Sequence, residues 1–177
     1  MELRLVRCVL RPWRPGDQPA LVRHANNRAV WRNLRDGFPH PYTATHAEAW
    51  IAYNQALTEP RNLAIEVDGE AAGGVGCQRG DDIRRYTAEL GYWLGEPCWG
   101  RGIMTEALRG FAAWAFGVLE LERLYAAVFH WNPASMRVLE KAGFTREGVR
   151  RHGAWKDGQW ADEVVYARLR TDPSPAP

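Results

Sequence analysis

The chain has 177 residues, 46% of them apolar and 25% charged, which is the make-up of one ordinary soluble globular domain with a buried core. Twenty-three basic and 21 acidic side chains leave a net charge of +2, so no global field demands nucleic acid or an anionic membrane as partner. No apolar run approaches the ~18 residues that would cross a bilayer. The opening Met-Glu-Leu-Arg-Leu-Val-Arg interleaves charged and apolar residues, unlike a secretory signal, so a cytoplasmic protein is expected.

Leu3 and Leu5 alternate with Arg4 and Arg7, and a first strand is predicted over residues 3–11, broken by Pro12 to Gly16. From Asp17, a candidate N-cap, Ala20, Leu21, His24, Ala25, Val30, Trp31 and Leu34 recur at helical spacing. Thr45 is predicted to cap a second helix carrying Ala49, Trp50, Tyr53 and Leu57, stopped by Pro60. Leu63 to Val67 and Ala71 to Gln78 read as a β-hairpin around Asp68-Gly69. Tyr86 to Leu94 reads as a further strand, and a glycine-rich turn leads to a helix from about Ile103 to Phe116. Leu124 to Phe129 is a predicted strand, 134–142 a short helix stopped by Gly143, and 148–169 two strands around Asp157-Gly158. This order predicts an α/β (α+β) domain over 1–170, a mixed sheet with helices on both faces, followed by an unstructured proline-rich tail over 171–177.

Nine tryptophans are the odd feature of the composition, and most are expected in the core or at its rim. Cys8, Cys77 and Cys98 are widely spaced and match no zinc pattern, so reduced thiols and no metal are expected. The five histidines are scattered along the chain and define no site on their own.

Function enters with the segment from Glu89 to Leu108. A strand runs into a loop holding Gly100 and Gly102, and a helix starts immediately afterwards. The first turn of a helix carries free N–H groups and a positive dipole end, so it attracts anions. Glycines let the backbone come close to a phosphate, and Arg101 between them adds a charged donor. A diphosphate is the natural ligand class, although an ordinary strand-to-helix turn would look the same from the glycines alone. The P-loop pattern is absent, and a dinucleotide fingerprint starting at Gly100 fails at Thr105 and lies too late in the chain.

Trp99-Gly-Arg-Gly-Ile-Met104 resembles the acetyl-CoA signature of the GNAT superfamily, [QR]-x-x-G-x-[GA]. The stretch from Tyr92 to Leu108 is similar to the branch containing the ribosomal-protein alanine N-acetyltransferases. Pro41-Tyr42-Thr43 ahead of Ala49-Trp50-Ile51 resembles the N-terminal part of that branch. The run from Asn132 to Phe144 resembles its second signature, N-x-x-S-x-x-x-x-E-K-x-G-F. Trp99 and Met104 depart from the commoner residues of the pattern, and Leu139 stands where many relatives carry a tyrosine acid.

The resemblance implies a GNAT fold with a mixed, mostly antiparallel sheet of about seven strands, and transfer of acetyl from acetyl-CoA to a primary amine. It implies that main-chain atoms of Trp93 and Leu94 bind the pantetheine arm, that Trp99, Gly100, Arg101, Gly102, Ile103, Met104 and Thr105 hold the pyrophosphate, and that Asn132 and Lys141 touch the arm and the nucleotide end. Helix entry for Asn132 and a solvated charge for Lys141 are the plain alternatives. Glu89 is the candidate base and Ser135 the candidate acid, with strand support and helix capping as the competing roles. Trp31 and His40 are candidates for the acceptor side. Cys98 has no His or base in motif spacing, which argues against an acyl-cysteine route. A protein or peptide N-terminus leads as acceptor, a small amine such as a polyamine or aminoglycoside is the rival, and a non-catalytic acyl-CoA-binding module is a third reading. No metal and no nucleic-acid partner are expected, and a homodimer is left open.

Overall fold

The computed structural model describes residues 2–175. The chain forms two compact units, Met1–Gly76 with Tyr92–Ala107, and Cys77–Gly91 with Leu108–Pro177. Eight strands hydrogen-bond in the order β1-β2-β3-β4-β5-β6-β8-β7.

In the first unit the chain opens on β1 (Leu3–Arg4) and β2 (Val9–Arg11), which pair antiparallel through Leu3↔Leu10 and Arg4↔Val9. The single strand predicted over 3–11 is therefore a tight hairpin, closed by the Leu5 N–H donating to the Cys8 carbonyl at 2.9 Å. This division makes eight strands of the seven expected. Alternation of apolar residues survives a turn this short, so the pattern alone does not reveal the reversal.

After β2 the chain is pinned by a buried ion pair. Both carboxylate oxygens of Asp17 accept from the Arg11 guanidinium at 2.8 Å, and Oδ2 also accepts from the Arg14 N–H at 2.8 Å. Asp17 is thus engaged with Arg11 and makes no side-chain cap bond to α1 (Gln18–Ala25). The helical pattern predicted through Leu34 is interrupted at Asn27, whose Oδ1 accepts from the Ala29 N–H at 2.7 Å and opens the short helix α2 (Arg28–Trp31). Helix α3 (Ala44–Gln55) is capped by Thr43 rather than Thr45: Thr43 Oγ1 accepts from His46 N–H, and His46 Nδ1 accepts from Thr43 N–H. Strands β3 (Asn62–Val67) and β4 (Glu70–Arg79) form the expected hairpin, with Asp68 at φ 51° and Gly69 at φ 84°, the left-handed pair that suits strand twist. Trp13, Leu21, Ala25, Tyr42, Ala47, Ile51, Ala64 and Ala71 bury together, and Phe38, Trp50 and Trp93 pack against them.

In the second unit β6 (Arg123–Phe129) pairs antiparallel with β8 (Gln159–Leu169) from Arg123↔Leu169 to Phe129↔Glu163. Strand β7 (Thr145–Lys156) returns along β8 through the turn at Asp157, φ 52°, and Gly158, φ 77°. Strand β5 (Thr87–Leu94) pairs parallel with β6 over Thr87↔Arg123, Ala88↔Leu124 and Glu89↔Tyr125. That ladder ends at Glu89, while β5 runs on to Leu94 and β6 to Phe129. Helix α4 (Ile103–Val118) buries Ile103, Ala107, Leu108, Phe111, Ala112 and Ala115 at helical spacing. Helix α5 (Pro133–Lys141) buries Leu139. Of the proposed tail, Asp172 Oδ2 accepts from the Leu169 N–H at 2.8 Å, and residues 176 and 177 lie outside the described residues. Among the described residues, no helix is long and apolar enough to cross a membrane.

Candidate functional site

The glycine-rich turn that singled out this region belongs to the first unit. Strand β5 ends at Leu94, a short 3-10 turn covers Glu96–Cys98, and α4 begins at Ile103. Gly100 at φ 73° and Gly102 at φ 75° both occupy left-handed backbone, which an L side chain enters only at a cost. A Cβ on Gly100 would meet nothing within 4 Å, and one on Gly102 would meet only the Arg7 side chain, at 3.6 Å. The first backbone bond of α4 runs from Glu106 N–H to the Gly102 carbonyl at 3.2 Å. The amides of Ile103, Met104 and Thr105 precede it and have no acceptor within the helix. Open space, three first-turn donors and the dipole of a 16-residue helix together suit a phosphate.

Nearby side chains tune the turn. Arg101 is half exposed and stands 3.5 Å from Asp68. The Trp99 indole N–H donates to the Leu94 carbonyl at 2.7 Å. This bond ties the end of β5 to the turn. Trp93 is half-buried, its ring 5.5 Å from that of Phe38. A Cβ on Gly73 would collide with the Trp93 carbonyl oxygen, so the strand beside β5 must carry glycine there. Burial pushes the Cys98 thiol up from its ordinary range, only partly opposed by Arg101, which leaves little thiolate for nucleophilic attack. On the helical side of the same unit, Trp31 and His40 stack with ring centroids 5.6 Å apart.

The remaining candidates lie in the second unit. Glu89 is half-buried and forms the last rung of the β5–β6 ladder, opposite Tyr125. Asn132 caps α5, its Oδ1 accepting from the Ser135 N–H at 3.2 Å, so the helix-entry role is real and consumes one of its polar atoms. Ser135 is half-buried in the first turn of α5. Lys141 ends that helix with an exposed side chain, and its carbonyl accepts two bonds from Arg109, at 3.1 and 2.8 Å.

Sequence reasoning missed Glu106 at the helix mouth. Glu106 accepts from the backbone N–H groups of Val6 and Arg7, at 3.0 and 2.8 Å. The partners are about a hundred residues apart, and no local pattern marks them. It also missed His24, which reaches to 3.7 Å from Glu70. With Arg23, Asn27, Glu96 and Pro97, His24 lines an open cleft of ≈ 390 Å³.

Residues 7–145 match the family described as an acetyltransferase (GNAT) domain, and the chain belongs to that family. Among curated relatives, "Putative ribosomal N-acetyltransferase YdaF" of Bacillus subtilis (strain 168) is 35% identical over 105 residues, 59% of this chain and 57% of that protein. "Spermidine N(1)-acetyltransferase" of Escherichia coli (strain K12) is 29% identical over 157 residues, 88% of this chain and 82% of that protein. The chain spans about half the length of the first-ranking curated relatives, 48% and 57%. Among solved structures, Mycobacterium smegmatis RimJ in complex with CoA-disulfide superposes with a TM-score of 0.81 at 27% identity, covering 92% of this chain and 82% of the other.

Proposed function

We propose that this chain is an acetyl-CoA-dependent N-acetyltransferase whose acceptor is a protein or peptide N-terminal α-amine. The observation that carries the reading is the pair of left-handed glycines, Gly100 and Gly102, opening α4 within the stretch that matches the GNAT family. A family relative named for ribosomal acetylation supports the protein acceptor.

On this reading the first-turn amides and Arg101 take the pyrophosphate, with Trp99 and Met104 shaping the turn. The backbone of Trp93 and Leu94 lies along the pantetheine arm, where an N–H donor stabilises negative charge growing on the thioester oxygen. The amine nitrogen attacks the thioester carbon, the C–N bond forms, and the C–S bond breaks. Glu89, directly or through water, takes the proton that the amine loses, and Ser135 supplies one to the departing thiolate. An α-amine has a pKa of about 7.7–8, so roughly a tenth is neutral at pH 7, against about one lysine amine in a few thousand. The base therefore has a modest task with an N-terminus. Asn132 steadies the arm, Lys141 serves the nucleotide end, and the stacked Trp31 and His40 serve the acceptor. The catalytic domain is taken to fill residues 1–170.

A small amine is the second reading, supported by the spermidine acetyltransferase that aligns with 88% of this chain. Thiol release from acetyl-CoA, measured against N-terminal peptides, spermidine and an aminoglycoside, separates the two. Highest kcat/KM with peptides supports the α-amine acceptor, highest kcat/KM with spermidine or the aminoglycoside replaces it, and no release with any acceptor refutes the enzyme.

A further inference from the structure

Arg7 belongs to none of the motifs that point to a coenzyme, yet the fold carries it to the helix mouth. It sits in the turn between β1 and β2, and Glu106 fastens that turn to the first turn of α4. Glu106 Oε1 accepts from Val6 N–H at 3.0 Å and Oε2 from Arg7 N–H at 2.8 Å. Each carboxylate oxygen is thereby supplied with a backbone donor, and the hairpin and the mouth are held as one piece.

The guanidinium itself is left with weak business. Arg7 Nη1 stands 3.9 Å from Glu106 Oε1, at the limit of an ion pair, and 55% of the side chain is exposed. A pair so long and so wet contributes little to stability. The stem meanwhile passes beside Gly102, where a Cβ would lie 3.6 Å from Arg7 Nε and 3.8 Å from Cδ. A permanent cation with a planar fork of donors thus stands next to the left-handed glycine that opens the anion site. Arg101, the cation that the motif supplies, is drawn toward the carboxylate of Asp68 at 3.5 Å, which leaves Arg7 as a separate source of positive charge.

We infer that Arg7 is a ligand of the coenzyme pyrophosphate, held in place by Glu106 as a positioning residue. The inference rests on the acetyl-CoA site proposed above and adds to it a residue from a hairpin at the other end of the sequence. A guanidinium can grip two phosphate oxygens at once, and does so with a full charge that the backbone amides lack. It also makes the strength of binding depend on salt and on the presence of the phosphates.

The test is calorimetric titration of wild type, Arg7→Gln and Arg7→Lys with CoA, 3′-dephospho-CoA and pantetheine. Circular dichroism melts check that the exposed substitution leaves the fold intact. Arg7→Gln is expected to weaken CoA and 3′-dephospho-CoA alike, by about tenfold, and to leave pantetheine unchanged. Arg7→Lys is expected to recover most of the loss. Unchanged CoA affinity in Arg7→Gln overturns the inference while leaving the coenzyme site standing. An equal loss for pantetheine makes Arg7 merely structural, and a loss for CoA without one for 3′-dephospho-CoA moves it to the ribose phosphate. If wild type itself binds no CoA, the parent reading falls and this one with it.

Discussion

Gly102 is the most direct place to separate fold from function. Its φ of 75° puts an L side chain in left-handed backbone, at about 1–2 kcal/mol. The nearest neighbour of a new Cβ is Arg7 Nε at 3.6 Å, an ordinary contact, so no collision adds to the strain. For a domain of this size each kcal/mol moves Tm by about 2–4 °C, and Gly102→Ala should lower Tm by about 2–8 °C. Gly158→Ala is the matching control, because Gly158 has φ 77° and open space around it in the turn between β7 and β8. The two alanine variants should lose similar stability. Gly102→Glu adds a carboxylate at the mouth where two phosphates would sit, and like charge in that position should cost about 3 kcal/mol or more of affinity, over a hundredfold. Circular dichroism melts and calorimetry with CoA read both quantities on the same samples. Gly102→Glu with wild-type CoA affinity, or Gly158→Ala with a comparable affinity loss, would refute the reasoning.

Glu89→Gln is expected to lower turnover more at pH 6.5 than at pH 9, since an α-amine of pKa about 7.7–8 needs proton removal most at the lower pH; equal losses in a stopped-time acetylation assay would mark Glu89 as structural. Asp17→Asn leaves the Arg11 charge buried with one partner fewer, the pair being 3% and 8% exposed. Stability should fall by about 3 kcal/mol, or about 6–12 °C in Tm, and a Tm within 2 °C of wild type would show the pair to be dispensable. Burial, aided by Arg23, lowers the His24 pKa below the ordinary histidine value of about 6.5. The unfolded chain then binds the proton first, so wild-type stability falls as pH drops through about 6.5 and levels off below the folded-state pKa. Urea unfolding of His24→Gln between pH 7.5 and 5 should show a shallower decline, and parallel curves would contradict the assignment.

How far the sequence reaches is visible in individual elements. Asp68-Gly69 and Asp157-Gly158 mark their hairpins because left-handed backbone needs those residue types. The apolar period of α4 and the glycines before it follow from local geometry in the same way. Asn132 is found capping α5, the helix-entry alternative to the arm-binding role that the resemblance implies. The helix caps were less legible: Thr43 and Thr45 both suit the role, and only the reciprocal bonds with His46 decide between them.

By itself, then, the sequence determined the order of elements, the strand–glycine–helix turn and the family whose signatures it carries, all set by interactions between near neighbours. Tertiary structure alone decided that residues 3–11 fold back on themselves, that the β5–β6 ladder ends at Glu89, that Trp31 stacks on His40, and that Arg7 meets the mouth of α4 through Glu106. The bonds to Glu106 join positions about a hundred residues apart, whereas the first hairpin and the Trp31–His40 stack rest on chain reversals over fewer than ten residues. At Glu106 the chemistry is fixed by which backbone N–H groups end within about 3 Å of the carboxylate, and no spacing along the chain records that distance.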